Sequence, residues 1–191
     1  MMPFFSSAKN LNSYINEAER GHSDSALKLG MMYEFGMEKQ VNRDISKAVY
    51  YYTIAAEEKN YRAIARLGVI SYNKAEYKKA IEYFKLAARN GESLSEAYLG
   101  KIIEEQSQNK SEAVRFYESS IKKNNPLGKM FLGEYLVKTK KKGSRDFIRG
   151  FALLVSASKV NEDAKRIIKR YPYKFNKEEQ VMLKEEFNKI K

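Results

Sequence analysis

At 191 residues, 43% hydrophobic and 31% charged, the chain has the composition of one ordinary folded domain or one short repeat array, which excludes collagen-like, disulfide-stapled and largely disordered polypeptides. Thirty-six Lys and Arg stand against 24 Asp and Glu, a formal charge of +12 that directs the search for partners toward acidic proteins, anionic membranes and nucleic acid. Zero Cys and a single His exclude disulfide frameworks, thiol nucleophiles, Cys-based zinc sites and multi-histidine metal centres, so neither a metal nor a cofactor is expected.

The chain opens Met1-Met2-Pro3-Phe4-Phe5-Ser6-Ser7-Ala8-Lys9, without the basic start and continuous apolar core of a signal peptide. Lys, Glu or Asn recurs every few positions, so no window approaches the roughly 18 apolar residues of a membrane span. A soluble, cytoplasmic protein is expected. Tyr14, Ile15 and Ala18, ending at Gly21, share one helical face and read as the second helix of an incomplete leading unit over residues 1–22.

From there the chain repeats itself. Leu-Gly occurs at Leu29-Gly30, Leu67-Gly68, Leu99-Gly100 and Leu132-Gly133, with Gly-to-Gly spacings of 38, 32 and 33. A period of this length marks stacked helical pairs. Downstream of each comes a small residue (Ala48, Ala80, Ala113, Gly150), a large one four positions later (Tyr52, Phe84, Tyr117, Leu154) and another small one after three more (Ala55, Ala87, Ser120, Ala157). Small, large, small at i, i+4, i+7 is one face of a helix, where small residues admit a neighbouring backbone and the large one fills the space beside it. Each unit over residues 23–161 therefore reads as two antiparallel helices, the first carrying Leu-Gly and the second the stripe. Breaks are expected at Gly36 to Asn42, Asn73-Lys74, Ser107-Gln108-Asn109 and Lys138 to Ser144, with Asp44 and Ser144 as N-caps. Residues 162–191 close the array as basic capping helices: Glu162 to Arg170 forms a short helix, Pro172 interrupts it, and Asn176 with Glu179 opens a last helix whose Leu183, Phe187 and Ile190 share a face.

The run Ser25-Ala26-Leu27-Lys28-Leu29-Gly30-Met31-Met32-Tyr33-Glu34-Phe35-Gly36, then Val41-Asn42-Arg43-Asp44-Ile45-Ser46-Lys47-Ala48, then Ala55-Ala56, resembles a Sel-one-like repeat, a relative of the tetratricopeptide repeat. About two extra residues between Gly36 and Val41 lengthen the loop of this first unit. The second unit is more similar to a plain tetratricopeptide repeat, and units three and four keep the small-residue positions while losing other motif residues. The resemblance covers roughly residues 13–160. It implies an all-α, right-handed α-solenoid of about four antiparallel helix pairs with terminal capping helices. It also implies a non-enzymatic scaffold or adaptor, of the kind found in a bacterial cytoplasm, that holds a protein or peptide segment in its concave groove. Carried over at fixed offsets from Leu-Gly, the inward positions of such a groove are Arg62, Tyr72, Asn73, Lys101, Glu104, Glu105 and Lys138.

Little else in the chain points to chemistry. His22, between Gly21 and Ser23, has no accompanying base or nucleophile motif. The doublets Glu57-Glu58, Glu104-Glu105, Glu178-Glu179 and Glu185-Glu186 sit about 100° apart on a helix and do not converge. Asn109-Lys110-Ser111 matches a glycosylation sequon by chance in a chain read as unexported. Of the 14 Tyr, Tyr52 holds a repeat core position, and Tyr33, Tyr83, Tyr98 and Tyr117 read as packing rather than as a stacking platform. Charge is uneven: residues 1–95 carry 14 basic and 11 acidic side chains, residues 96–191 carry 22 and 13. Basic clusters lie at Lys138, Lys140, Lys141, Lys142, Arg145 and Arg149, and at Lys165, Arg166, Lys169, Arg170, Lys174 and Lys177, the second interleaved with Tyr171, Tyr173 and Phe175. Lys140, Lys141, Lys142, Lys165, Arg166, Lys169 and Arg170 are thus the candidates for the alternative reading, contact with an anionic polymer, nucleic acid or membrane surface.

Overall fold

The computed structural model describes residues 11–36, 41–107 and 109–190. The reading of the first ten residues, the interior of the Gly36 to Asn42 loop and Gln108 in the third break lie outside them. Among the described residues there are eleven α-helices and no strand, and the chain divides into two compact units, Met1–Glu92 and Ser93–Lys191.

In the first unit, α1 (Leu11–Glu19) precedes the pairs α2 (Ser23–Phe35) with α3 (Ile45–Glu57) and α4 (Tyr61–Asn73) with α5 (Tyr77–Arg89). Gly36, at φ +75°, ends α2, and the Asp44 carboxylate accepts from Lys47 N at 3.0 Å to open α3. Asp44 N donates to Tyr33 O at 2.8 Å, which holds the start of α3 against the end of α2. Asn60, not recognised as a cap from sequence, opens α4 by accepting from Ala63 N.

The stripe is the seam of each pair. Ala48, Tyr52 and Ala55, like Ala80, Phe84 and Ala87, are wholly buried. A Cβ built on Gly30 would collide with Cδ1 and Cε1 of the Tyr52 ring, and one on Gly68 would stand 2.6 Å from Cε1 of Phe84. The glycine of the first helix is therefore the seat for the large residue of the second.

The second unit repeats the construction. α6 (Ser93–Gln106) pairs with α7 (Lys110–Lys122), and α8 (Pro126–Thr139) with α9 (Arg145–Ala157). Gly100 seats Tyr117 at 2.7 Å and Gly133 seats Leu154 at 2.8 Å by the same measure. Asn109, Asn125 and Ser144 cap α7, α8 and α9, with Pro126 at the first position of α8, where its missing N–H has no consequence. α10 (Glu162–Arg170), capped by Asn161, and α11 (Lys177–Lys189) both pack on α9. α11 opens on the expected reciprocal cap: Asn176 Oδ1 accepts from Glu179 N while Glu179 Oε2 accepts from Asn176 N, each at 2.9 Å. Leu183 and Ile190 rest on the core of the unit, and Phe187 lies under Lys159 at 4.8 Å.

Candidate functional site

Four residues after the seat glycine, the first helix faces the far end of the large residue it holds. Where that residue is Tyr, its hydroxyl needs an acceptor, and a glutamate supplies one. Tyr52 Oη donates to Glu34 Oε2, and Tyr117 Oη donates to Glu104 Oε2, both at 2.6 Å. In the first unit Glu34 is 8% exposed and also accepts from Arg66 of α4, Nε to Oε2 at 2.9 Å, while the guanidinium lies 4.9 Å over Phe35. Burial first, then the Glu34 charge and hydrogen bond, push the Tyr52 hydroxyl far above the usual phenol range, so it stays a neutral donor. The group ties α2, α3 and α4 together.

In the second unit the corresponding group reaches the surface. Lys101 Nζ lies 3.6 Å from Glu104, 3.7 Å from Glu105 and 3.8 Å from Glu134 of α8, and 5.7 Å over the ring of Phe131. Glu134 in turn meets Arg170 of α10 at 3.6 Å, and Tyr98 packs edge-on against Phe131 at 5.6 Å. One network of alternating charge therefore runs over three helices, α6, α8 and α10.

Of the groove positions expected from sequence, Lys101, Glu104 and Glu105 are brought together in this network. Glu104 is largely turned inward to Tyr117, and Lys138 is exposed at the end of α8. Arg62 and Asn73 are exposed at the two ends of α4 in the first unit, and Tyr72 packs edge-on against Tyr77 at 5.8 Å. Glu34, Arg66, Glu134 and Phe131 were not singled out from sequence. The pairing of Tyr in the stripe with Glu four residues after the glycine was the available signal for Glu34 and for the inward role of Glu104.

The basic candidates are divided. Lys140 pairs with Asp146, Lys165 with Glu162, Arg166 with Asp163 and Arg170 with Glu134, whereas Lys141, Lys142 and Lys169 are exposed without an ion partner among the described residues. The interleaved rings face inward: Tyr173 lies 4.9 Å from Phe147, and Phe175 lies 5.2 Å from Phe151. Tyr33 stacks on Tyr51 at 5.6 Å, and Tyr52 and Tyr117 are wholly buried, so these rings serve packing, whereas Tyr50 is exposed. His22 is an exposed residue in the turn before α2 and its side chain makes no cap bond. Among the described residues no group of three or more His, Cys, Asp or Glu is placed to hold a metal, and no helix is long and apolar enough to cross a membrane.

The family model for the Sel1 repeat matches residues 23–60, 62–92 and 94–125. Over 90 residues the chain is 38% identical to a Sel1-like repeat-containing protein of Acanthamoeba polyphaga mimivirus, covering 47% of this chain and 16% of that one. Over 88 residues it is 34% identical to an ERAD-associated E3 ubiquitin-protein ligase component of Arabidopsis thaliana, covering 45% of this chain and 14% of the relative. The chain thus spans about a sixth of the length of these relatives. The crystal structure of a protective antigen of uropathogenic Escherichia coli displaying an SLR fold superposes on 94% of this chain and 40% of its own, with a TM-score of 0.73 at 24% identity. That likeness carries the α-solenoid fold to the helix pairs that the family model does not reach.

Proposed function

The chain belongs to the Sel1 repeat family, and from that premise we infer that it is a non-enzymatic scaffold that binds a protein or peptide segment on the faces of its first helices. Sel1-repeat proteins are in general protein-interaction scaffolds. The Arabidopsis relative is, by its name, a component of a larger assembly, which is the setting such a scaffold suits.

The observation that carries the reading is the network on α6, α8 and α10. Lys101, Glu105, Glu134 and Arg170 are neighbours of alternating sign, laid over the aromatic pair Tyr98 and Phe131. Such a surface recognises a chain segment whose charges match in order, and it repels one whose charges do not. The aromatic floor, Phe131 buried and Tyr98 partly so, supplies the desolvated contact in which binding energy concentrates. On α4 in the first unit Asn73 holds the position that Glu105 holds on α6, and Arg62 is exposed at the other end of that helix.

Affinity capture from the native organism tests the reading. One variant carries Arg62→Ala, Tyr72→Ala and Asn73→Ala; a second carries Glu105→Ala, Glu134→Ala and Lys138→Ala. At least one set is expected to lose a specific partner by about tenfold or more, since two or three contacts worth about 1 kcal/mol each are removed. Retention of every specific partner by both folded variants would overturn it.

A further inference from the structure

In the second unit the structure neutralises some of its cations and leaves others open. Beyond the pairs already described, Arg145 meets Glu186 at 3.1 Å and Glu185 at 3.5 Å, and Arg149 meets Glu118 at 3.2 Å. Lys141, Lys142, Lys174 and Lys177 are exposed and have no ion partner among the described residues. Two chain segments about thirty residues apart thus bring unpaired charge to one place, because Gly143 packs directly on the turn before α11. A Cβ on Gly143 would stand 2.6 Å from Glu179 Oε1 and 3.2 Å from Tyr173 Oη.

That junction is closely packed and its own carboxylate is used up. Tyr173 Oη donates to Glu179 Oε1 at 2.8 Å, and Glu179, 8% exposed, also accepts from Asn176 N. The exposed acids nearest in sequence are Glu178 and Asp146, the latter held by Lys140. Both adjoining helix starts are closed by their own caps, Ser144 and Asn176. Lys141 and Lys142 precede the first of these caps, and Lys174 and Lys177 flank the second. Cations beside the positive end of a helix macrodipole lower stability. A local rule broken without an internal compensation is most often broken for contact with something outside.

We propose that Lys141, Lys142, Lys174 and Lys177 form a docking surface for an acidic segment of a protein partner, a run of Asp and Glu, separate from the first-helix faces. Single-stranded nucleic acid is gripped by rings free to stack, and a membrane surface is held more firmly where apolar side chains insert beside the lysines; phosphates and anionic headgroups also attract lysine by charge alone, so duplex DNA and vesicles are arms of the test. Tyr173 and Phe175 are the rings beside the lysines, and they are engaged inward, Tyr173 against Phe147 and Phe151 and Phe175 against Phe151.

The test is fluorescence anisotropy of a labelled peptide rich in Asp and Glu, with the full chain. Binding is expected at about 50 mM salt and is expected to weaken steeply by about 200 mM, where the Debye length has contracted. The combined variant Lys141→Gln, Lys142→Gln, Lys174→Gln, Lys177→Gln is expected to lose at least about tenfold in affinity while its circular dichroism is unchanged. Lys165→Gln with Arg166→Gln, which removes paired cations, is expected to stay within about twofold. The proposal is overturned if the peptide does not bind at low salt, if the paired control loses as much as the lysine variant, or if anionic vesicles or duplex DNA bind more tightly than the peptide. None of these outcomes touches Arg62, Glu105 or Glu134, so failure here leaves the first-helix reading standing.

Discussion

Tyrosine and glutamate occur together in this chain for a physical reason. Where the large residue of a stripe is Tyr52 or Tyr117, the position four after the seat glycine is Glu34 or Glu104; where it is Phe84 or Leu154, that position is Tyr72 or Val137. A wholly buried hydroxyl without an acceptor costs about 1–3 kcal/mol, and Phe and Leu have no such need. Arg66→Ala strands the buried Glu34 carboxylate and is expected to destabilise by about 3–5 kcal/mol, with Tyr52→Phe costing only about 1–2 kcal/mol, both measured by urea denaturation. The seat glycines make a second residue-level prediction. Gly68→Ala and Gly100→Ala raise helix propensity by up to about 1 kcal/mol, yet they drive a methyl into a ring that cannot move, so each is expected to lose about 1–3 kcal/mol net. The seat was legible from the Leu-Gly period. The glutamate was not, because spacing within one helix carries no sign of what the far end of a buried Tyr on the next helix requires.

At the scale of the element, the helix pairs, the leading helix and both closing helices were legible because punctuation and periodicity agreed. Asp44, Ser144 and Asn176 open their helices as their spacing implied. Asn60, Asn109, Asn125 and Asn161 also cap helices, and they passed unrecognised because Asn in a turn looks the same whether or not its side chain reaches the following N–H. α11 is the element whose stability depends most plainly on charge. Glu186, 6% exposed, is penalised by burial, but hydrogen bonds from Lys189 and Arg145 hold its carboxyl below the ordinary range. A folded value below the unfolded one adds stability at neutral pH, and that gain is lost as the pH falls through the folded value. Glu186→Gln is therefore expected to lower stability by about 1 kcal/mol at pH 7, the partners being more than half exposed, with the difference from wild type disappearing in acid. Denaturation of the two proteins at pH 7 and in acid measures it; a difference that persists unchanged in acid excludes the ion pairs as its source.

Over the whole molecule the charge of +12 separates into distinct populations. In the second unit many cations are matched by carboxylates, some within α10 itself and some across helices, as Lys101 and Arg170 are on Glu134. Composition could show the excess but not its pairing, which depends on helices brought together by the fold. Offsets carried from a related repeat likewise located Lys101, Glu104 and Glu105 on one helix, but could not show that Glu104 is turned inward to Tyr117. The central claim is that partners bind the first helix of each pair. A photo-reactive residue placed in turn at Arg62, Glu105 and Lys138, and at the exposed positions Tyr50, Leu86 and Val155 of the second helices, tests this most directly in native cells. The account predicts a shared crosslinked partner from one or more of the first three sites and none from the last three; crosslinks to a specific partner confined to Tyr50, Leu86 or Val155 would contradict it.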